Sequence, residues 1–168
     1  TEQDFELIRV VASEDGTTLQ TTPSQELERN ELDAGQYIDF IANSAFSLEA
    51  SAPVLVVSYL RSNQVEGSGN GGDPAMVLIA PRNAWRDRFV THNPEGWLEE
   101  RAVVVAPLGA EILLDGAPVE EIQEIAQTGF IQVSAALDPG THTLESDMPI
   151  YVISYGQGRF ASYAAPGR

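Results

Sequence analysis

The chain has 168 residues, 43% of them apolar and 20% charged, which suits one folded domain with a real core and excludes a disordered chain. Twenty-five acidic residues against nine basic ones give a net charge of −16, a field that repels nucleic acid and anionic lipid. The absence of cysteine excludes disulfides, thiolate catalysis and cysteine-bound zinc or iron–sulfur centres. All nine basic residues are arginine, so a catalytic lysine, a lysine-linked cofactor and a lysine–asparagine cross-link are excluded too.

In chain order, Phe5 to Ala12 reads as a strand, Ser13-Glu14-Asp15-Gly16 as a tight turn, and Thr17 to Thr22 as a returning polar strand, so a hairpin is expected here. Gln25 to Leu32 alternates loosely, with its acidic residues outward. Asp33-Ala34-Gly35 turns the chain into a strand at Tyr37 to Ile41, and Phe46 to Glu49 alternates as a half-buried strand does. Pro53 to Tyr59 is then a proline-led apolar run, the pattern of a strand covered on both faces or set deep in a sandwich. Asn63 to Asp73 is a glycine-rich loop by composition, and Met76 to Ile79 is a short strand. Arg82 to Trp97 gathers arginines and both tryptophans, with a helical turn expected near Asn83 to Asp87.

Further on, Arg101 to Ala106 is a strand, and Ala110 to Gly116 starts a hairpin with an Asp-Gly turn. Val119 to Ala126 fits either a helical turn or a strand. Phe130 to Leu137 is a strand, Asp138-Pro139-Gly140 a turn, and Thr141 to Glu145 a pairing segment that places His142 inside a hairpin. Pro149 to Tyr155 is a second proline-led apolar run, and Phe160 to Ala164 a last strand. Many short strands between turn residues, with no long helix, predict an all-β, antiparallel, jelly-roll-like β-sandwich.

Three landmarks recur in order. Val10-Val11-Ala12 echoes Val104-Val105-Ala106, Leu32-Asp33-Ala34-Gly35 echoes Leu137-Asp138-Pro139-Gly140, and Pro53 to Tyr59 echoes Pro149 to Tyr155. An internally duplicated half-domain is expected, with halves at about 5–60 and 98–156 and an unduplicated insert at about 61–97, all within one domain over residues 1–168.

The residues offer little catalytic chemistry. The only histidines are His92, placed in a loop, and His142, read as structural. No serine sits in a Gly-x-Ser-x-Gly elbow, and Gly67 to Gly72 lacks the Gly-Lys-Ser/Thr of a phosphate loop. Glu99 and Glu100 point to opposite faces of a strand, which makes them poor acid–base partners. No cofactor and no metal site is expected; Glu14, Asp15 and Asp73 could hold calcium through oxygen ligands but are read as turn caps. The candidate binding residues are Asp73, Arg82, Trp85, Arg86, Arg88 and Trp97, because aromatics beside arginine anchor partners or stack on sugars. On the competing reading the tryptophans plug the end of the sandwich and the arginines pair with local carboxylates.

Several pieces form one ordered series: Val10 to Thr18, Leu32 to Gly35, Ser51 to Val54, Gly72 to Met76, Pro139 to Leu144 and Ser146 to Gly156. The series resembles the N-terminal domain family of the IgGFc-binding protein, which is also met in large secreted bacterial proteins. The resemblance implies an extracellular or cell-surface, β-rich binding or adhesion module, without carrying antibody binding over to this chain. The expected partner is a protein or glycan at a surface, with self-association open; no nucleic acid and no membrane insertion are expected, since no apolar run nears the ~20 residues that span a bilayer. The alternatives are a structural spacer or assembly domain with no ligand of its own and, third, a carbohydrate-processing enzyme. A start at Thr1 without a signal peptide suits a processed protein or a domain of a longer chain.

Overall fold

The computed structural model describes residues 6–42, 44–60, 73–119, 121–158 and 161–167. Its first half contains β1 (Glu6–Ala12), β2 (Thr17–Thr22), β3 (Glu31–Leu32), β4 (Tyr37–Ala42), β5 (Ser47–Ala50), β6 (Val54–Leu60) and β7 (Ala75–Leu78). A single 3-10 turn, Arg82–Ala84, leads to β8 (Arg86–Asn93). There follow β9 (Glu99–Pro107), β10 (Ile112–Leu114), β11 (Ala117–Pro118), β12 (Ile122–Ile125), β13 (Phe130–Ala136), β14 (Gly140–Gln157) and β15 (Ser162–Pro166). The protein is all-β and every strand pair is antiparallel.

Alternation builds the first lobe. Ile8, Val10 and Ala12 of β1 and Ile38, Phe40 and Ala42 of β4 all turn inward. They belong to a sheet of order β4-β1-β6-β7. Leu19 of β2 and Leu32 of β3 close the core from a second sheet of order β3-β2-β5. Each of the larger of these side chains (Val, Leu, Ile or Phe), fully buried, contributes about 1.5–3 kcal/mol.

The second lobe has its own core, around Val104, Val133, Leu144, Ile150 and Val152. Its organiser is β14, 18 residues long. Residues Gly140 to Glu145 pair with β8, and β10 lies on the other side of this portion. After a register shift between Glu145 and Ile150, residues Tyr151 to Gln157 pair with β9, and Ile153 to Gln157 also pair with β15. One strand therefore supplies both layers. The orders β4-β1-β6-β7 and β13-β9-β14-β15 match, and so do the registers: Val10 lies opposite Val56 and Ile38, and Val104 opposite Val152 and Val133.

β7 lies against β15 where the lobes meet. The Asp73 N–H donates to Ser162 Oγ at 2.9 Å, and the Tyr151 hydroxyl donates to the Leu78 carbonyl at 3.0 Å.

Four expectations change. β1 and β2 are not a hairpin: β1 already has β4 and β6 on its two edges, so Ser13–Gly16 carries the chain across to the other sheet. His142 is not in a hairpin either, because Asp138–Gly140 crosses from β13 to a strand that pairs with β8 and β10. The helical turn is shorter and earlier than expected, because Arg86 already belongs to β8, and His92 lies in that strand opposite Thr141. The ambiguous Val119 to Ala126 contains a strand, β12. The two Leu-Asp-x-Gly turns also hold different places, one entering β4 and the other leaving β13. Of the glycine-rich loop, only Asp73 lies within the described residues.

Candidate functional site

The structure divides the residues singled out from the sequence. Trp85 is half-buried on the outer face of the β13-β9-β14 sheet, 5.6 Å from the Phe130 ring and 6.3 Å from the Tyr151 ring. Arg82 stands over Phe130, with its guanidinium carbon 5.0 Å from the ring centroid, a cation–π arrangement. The buried Trp85 Nε1–H finds no acceptor among the described residues. Trp97 packs edge-on against Tyr163 at 4.9 Å, where Gly156 leaves room for the Tyr163 ring. The Tyr163 hydroxyl donates to Glu100 Oε1 at 2.9 Å; burial, and then this carboxylate, push its pKa up. Asp73 is held through its backbone at Ser162. Arg86 and Arg88 are exposed on β8, and Arg88 reaches Glu145 across the ladder at 3.4 Å. Arg86 makes no ion pair among the described residues.

A second surface was not expected. The outer face of β4-β1-β6-β7 is set by the cross-strand registers. One row is Ile41, Leu7, Tyr59 and Met76; the next is Asp39, Arg9, Val57 and Leu78; the third is Tyr37, Val11 and Leu55. All but two of these side chains are apolar or aromatic. Tyr37, Ile41, Leu55, Met76 and Leu78 are between 42% and 57% exposed. The proline-led run at β6 is thus interior to its sheet, and on this face Val57 is buried while Leu55 is half exposed among the described residues.

The two charged residues in the middle cancel. Arg9 Nε and Nη2 donate to the two Asp39 carboxylate oxygens at 2.7 and 2.6 Å, a bidentate pair. The Arg9 guanidinium also lies over the Tyr37 ring at 4.4 Å and the Tyr59 ring at 5.9 Å. The hydrogen bond to Asp39 pushes the Arg9 pKa up, and the same bond holds the Asp39 carboxyl below its usual range. The face therefore carries no net charge on a molecule of −16.

Acidic turn residues are used locally. Asp15 Oδ1 accepts from the Ala34 N–H and Asp33 Oδ1 from the Gly16 N–H, so two turns brace each other. Among the described residues, no three histidine or carboxylate side chains are grouped to hold a metal. Two surface depressions, of about 420 and 450 Å³, are lined by Glu28, Arg29 and Gly35 to Asp39 in one case, and by residues including Arg101, Pro118 and Ser134 in the other. None of the six candidate binding residues lines either one.

An all-β chain with a neutral apolar sheet face and an arginine-bearing strand on an acidic body has the makings of a recognition module. Residues 1–156 match the family described as IgGFc binding protein, and the chain belongs to that family. No curated protein and no solved structure matches the chain. No helix among the described residues is long and apolar enough to cross a membrane.

Proposed function

We propose that this chain is a non-catalytic, extracellular or cell-surface binding module for a protein or glycan surface. Family membership supports the class. The observation that carries the site is the exposed row Arg82, Arg86 and Arg88: three of nine arginines within seven positions of a strongly acidic chain, only Arg88 of them in an ion pair among the described residues. Free guanidinium groups clamp carboxylates in bidentate fashion and stack on planar groups. Trp85 supplies an apolar base beside Arg82, while Trp97 and Asp73 anchor the neighbouring β15. The same reading takes residues 1–168 as one domain of two pseudo-repeated halves, supported by the matching strand orders and registers.

The test is the triple change Arg82→Gln, Arg86→Gln, Arg88→Gln, screened beside the wild type on a glycan array and against extracellular-matrix proteins. The fold should survive, since all three side chains are exposed, and wild-type binding should fall by about tenfold or more. Undiminished binding by a folded variant would place the site elsewhere. No binding by the wild type on any surface would favour a spacer domain.

A further inference from the structure

The two lobes treat corresponding sheet faces differently. In the second lobe the segment after β7 crosses the outer face of β13-β9-β14: Trp85 lies on Phe130 and Tyr151, and Arg82 caps Phe130. In the first lobe the outer face of β4-β1-β6-β7 has no such cover among the described residues; Tyr37, Ile41, Leu55, Met76 and Leu78 stay about half exposed around a buried Val57. An apolar patch of several hundred Å² rimmed by polar residues marks an interaction site rather than ordinary surface.

We propose that this face is a docking surface for a segment of a protein partner that carries an aromatic side chain beside arginine or lysine. Two observations fix that chemistry. The chain's own cover for the corresponding face is a tryptophan with an arginine, and Arg9 between Tyr37 and Tyr59 repeats the same stacking within the open face. Charge points the same way: thirteen of the twenty-five acidic residues but only three arginines precede residue 81, so a neutral face sits on an acidic half of the chain. A stable interface needs about 800 Å² per partner and has a polar rim around its apolar centre, so residues around the apolar rows take part too. Two copies of this chain, each at −16, would repel one another, whereas a basic segment is attracted.

The inference rests on the reading of the chain as a binding module but not on the Arg82–Arg88 row. The probe is a short linear peptide alternating tryptophan and arginine, with Trp–Glu and Ala–Arg peptides of equal length as controls, titrated into the isotope-labelled full chain and followed by NMR. Shifts should centre on Tyr37, Ile41, Leu55, Met76 and Leu78 with the Trp–Arg peptide alone. Leu55→Gln combined with Met76→Gln should weaken that binding by about tenfold or more, because a partner's anchors lose their pocket. Both side chains are half exposed, so the variant should fold, and Leu78→Gln serves as an independent second variant. The triple arginine variant should bind the peptide as the wild type does, so failure here and failure of the arginine row are separable. Equal shifts with either control, shifts centred on another surface, or a concentration-dependent dimer abolished by the same Leu55 and Met76 changes would overturn the proposal.

Discussion

His142 joins two turns of the second lobe, and its two nitrogens make the join sensitive to pH. Nδ1 lies 2.7 Å from Asp115 Oδ2 and Nε2 lies 2.7 Å from the Asp138 carbonyl, so the doubly protonated ring satisfies both acceptors. Burial opposes the charge, but Asp115 and the Asp138 carbonyl outweigh it and the His142 pKa is raised. Asp115, which accepts from the Thr143 N–H and from His142, is held below its usual range. A raised histidine pKa adds stability that is fully present below the unfolded value of about 6.5 and is lost as pH rises through the folded value. A lowered carboxylate pKa adds stability that is lost as pH falls through the folded value. Between those limits both terms act. The melting temperature should therefore fall between about pH 6 and pH 8 by more in the wild type than in His142→Gln, as read by thermal circular dichroism. Parallel curves would show that folding leaves the ring's pKa unchanged, and a wild type that gains stability over this range would show a ring held neutral.

At the scale of elements, burial ranks the two proline-led strands. Val152 of β14 is wholly buried in the second core, whereas Val56 of β6 is only partly buried against the first. A buried carboxylate without a partner costs several kcal/mol, against about 5–15 kcal/mol of total stability. Val152→Asp should therefore abolish cooperative unfolding, and Val56→Asp should leave a folded protein with a lower melting temperature; calorimetry distinguishes the two. Strand positions were legible because β-branched runs and Asp-Gly turns announce themselves, as at Asp115-Gly116, where both residues have positive φ. Pairing was less legible. A turn such as Ser13–Gly16 has the same composition whether it folds a hairpin or crosses a sandwich, and what decided was that β1 already had two neighbours. β8 was hidden because it opens with Arg86-Asp87-Arg88 and shows alternation only from Phe89 onward. The exposed face was hidden because Leu55 in an apolar run looks like any core residue; among the described residues, Tyr151 has Trp85 stacked on it and Leu55 stays half exposed. The cluster of arginines and tryptophans is visible in the sequence, but the separate ring partners of Trp85 and Trp97 are not.

At the scale of the whole molecule, charge is the dominant unbalanced term. Among the described residues, four ion pairs engage four carboxylates: Arg9–Asp39, Arg88–Glu145, Arg101–Glu99 and His142–Asp115. Most of the remaining acidic groups repel one another. Added sodium chloride, from low to about molar concentration, should raise the melting temperature by screening that repulsion; a melting temperature indifferent to salt would mean the charges are already compensated. The shared strand β14 has a different consequence. In the first lobe the two layers take separate strands, β5 and β6, with Ser51 to Pro53 between them, so each can settle its alignment alone. In the second lobe β14 runs through both layers. Unless the irregular stretch between Glu145 and Ile150 absorbs it, a slip of one residue along β8 would pull the far half of the same strand out of step with β9, and the β14 side chains in both layers would face the wrong way. Misalignment in one layer is therefore felt in the other, a coupling that the first lobe's separate strands lack.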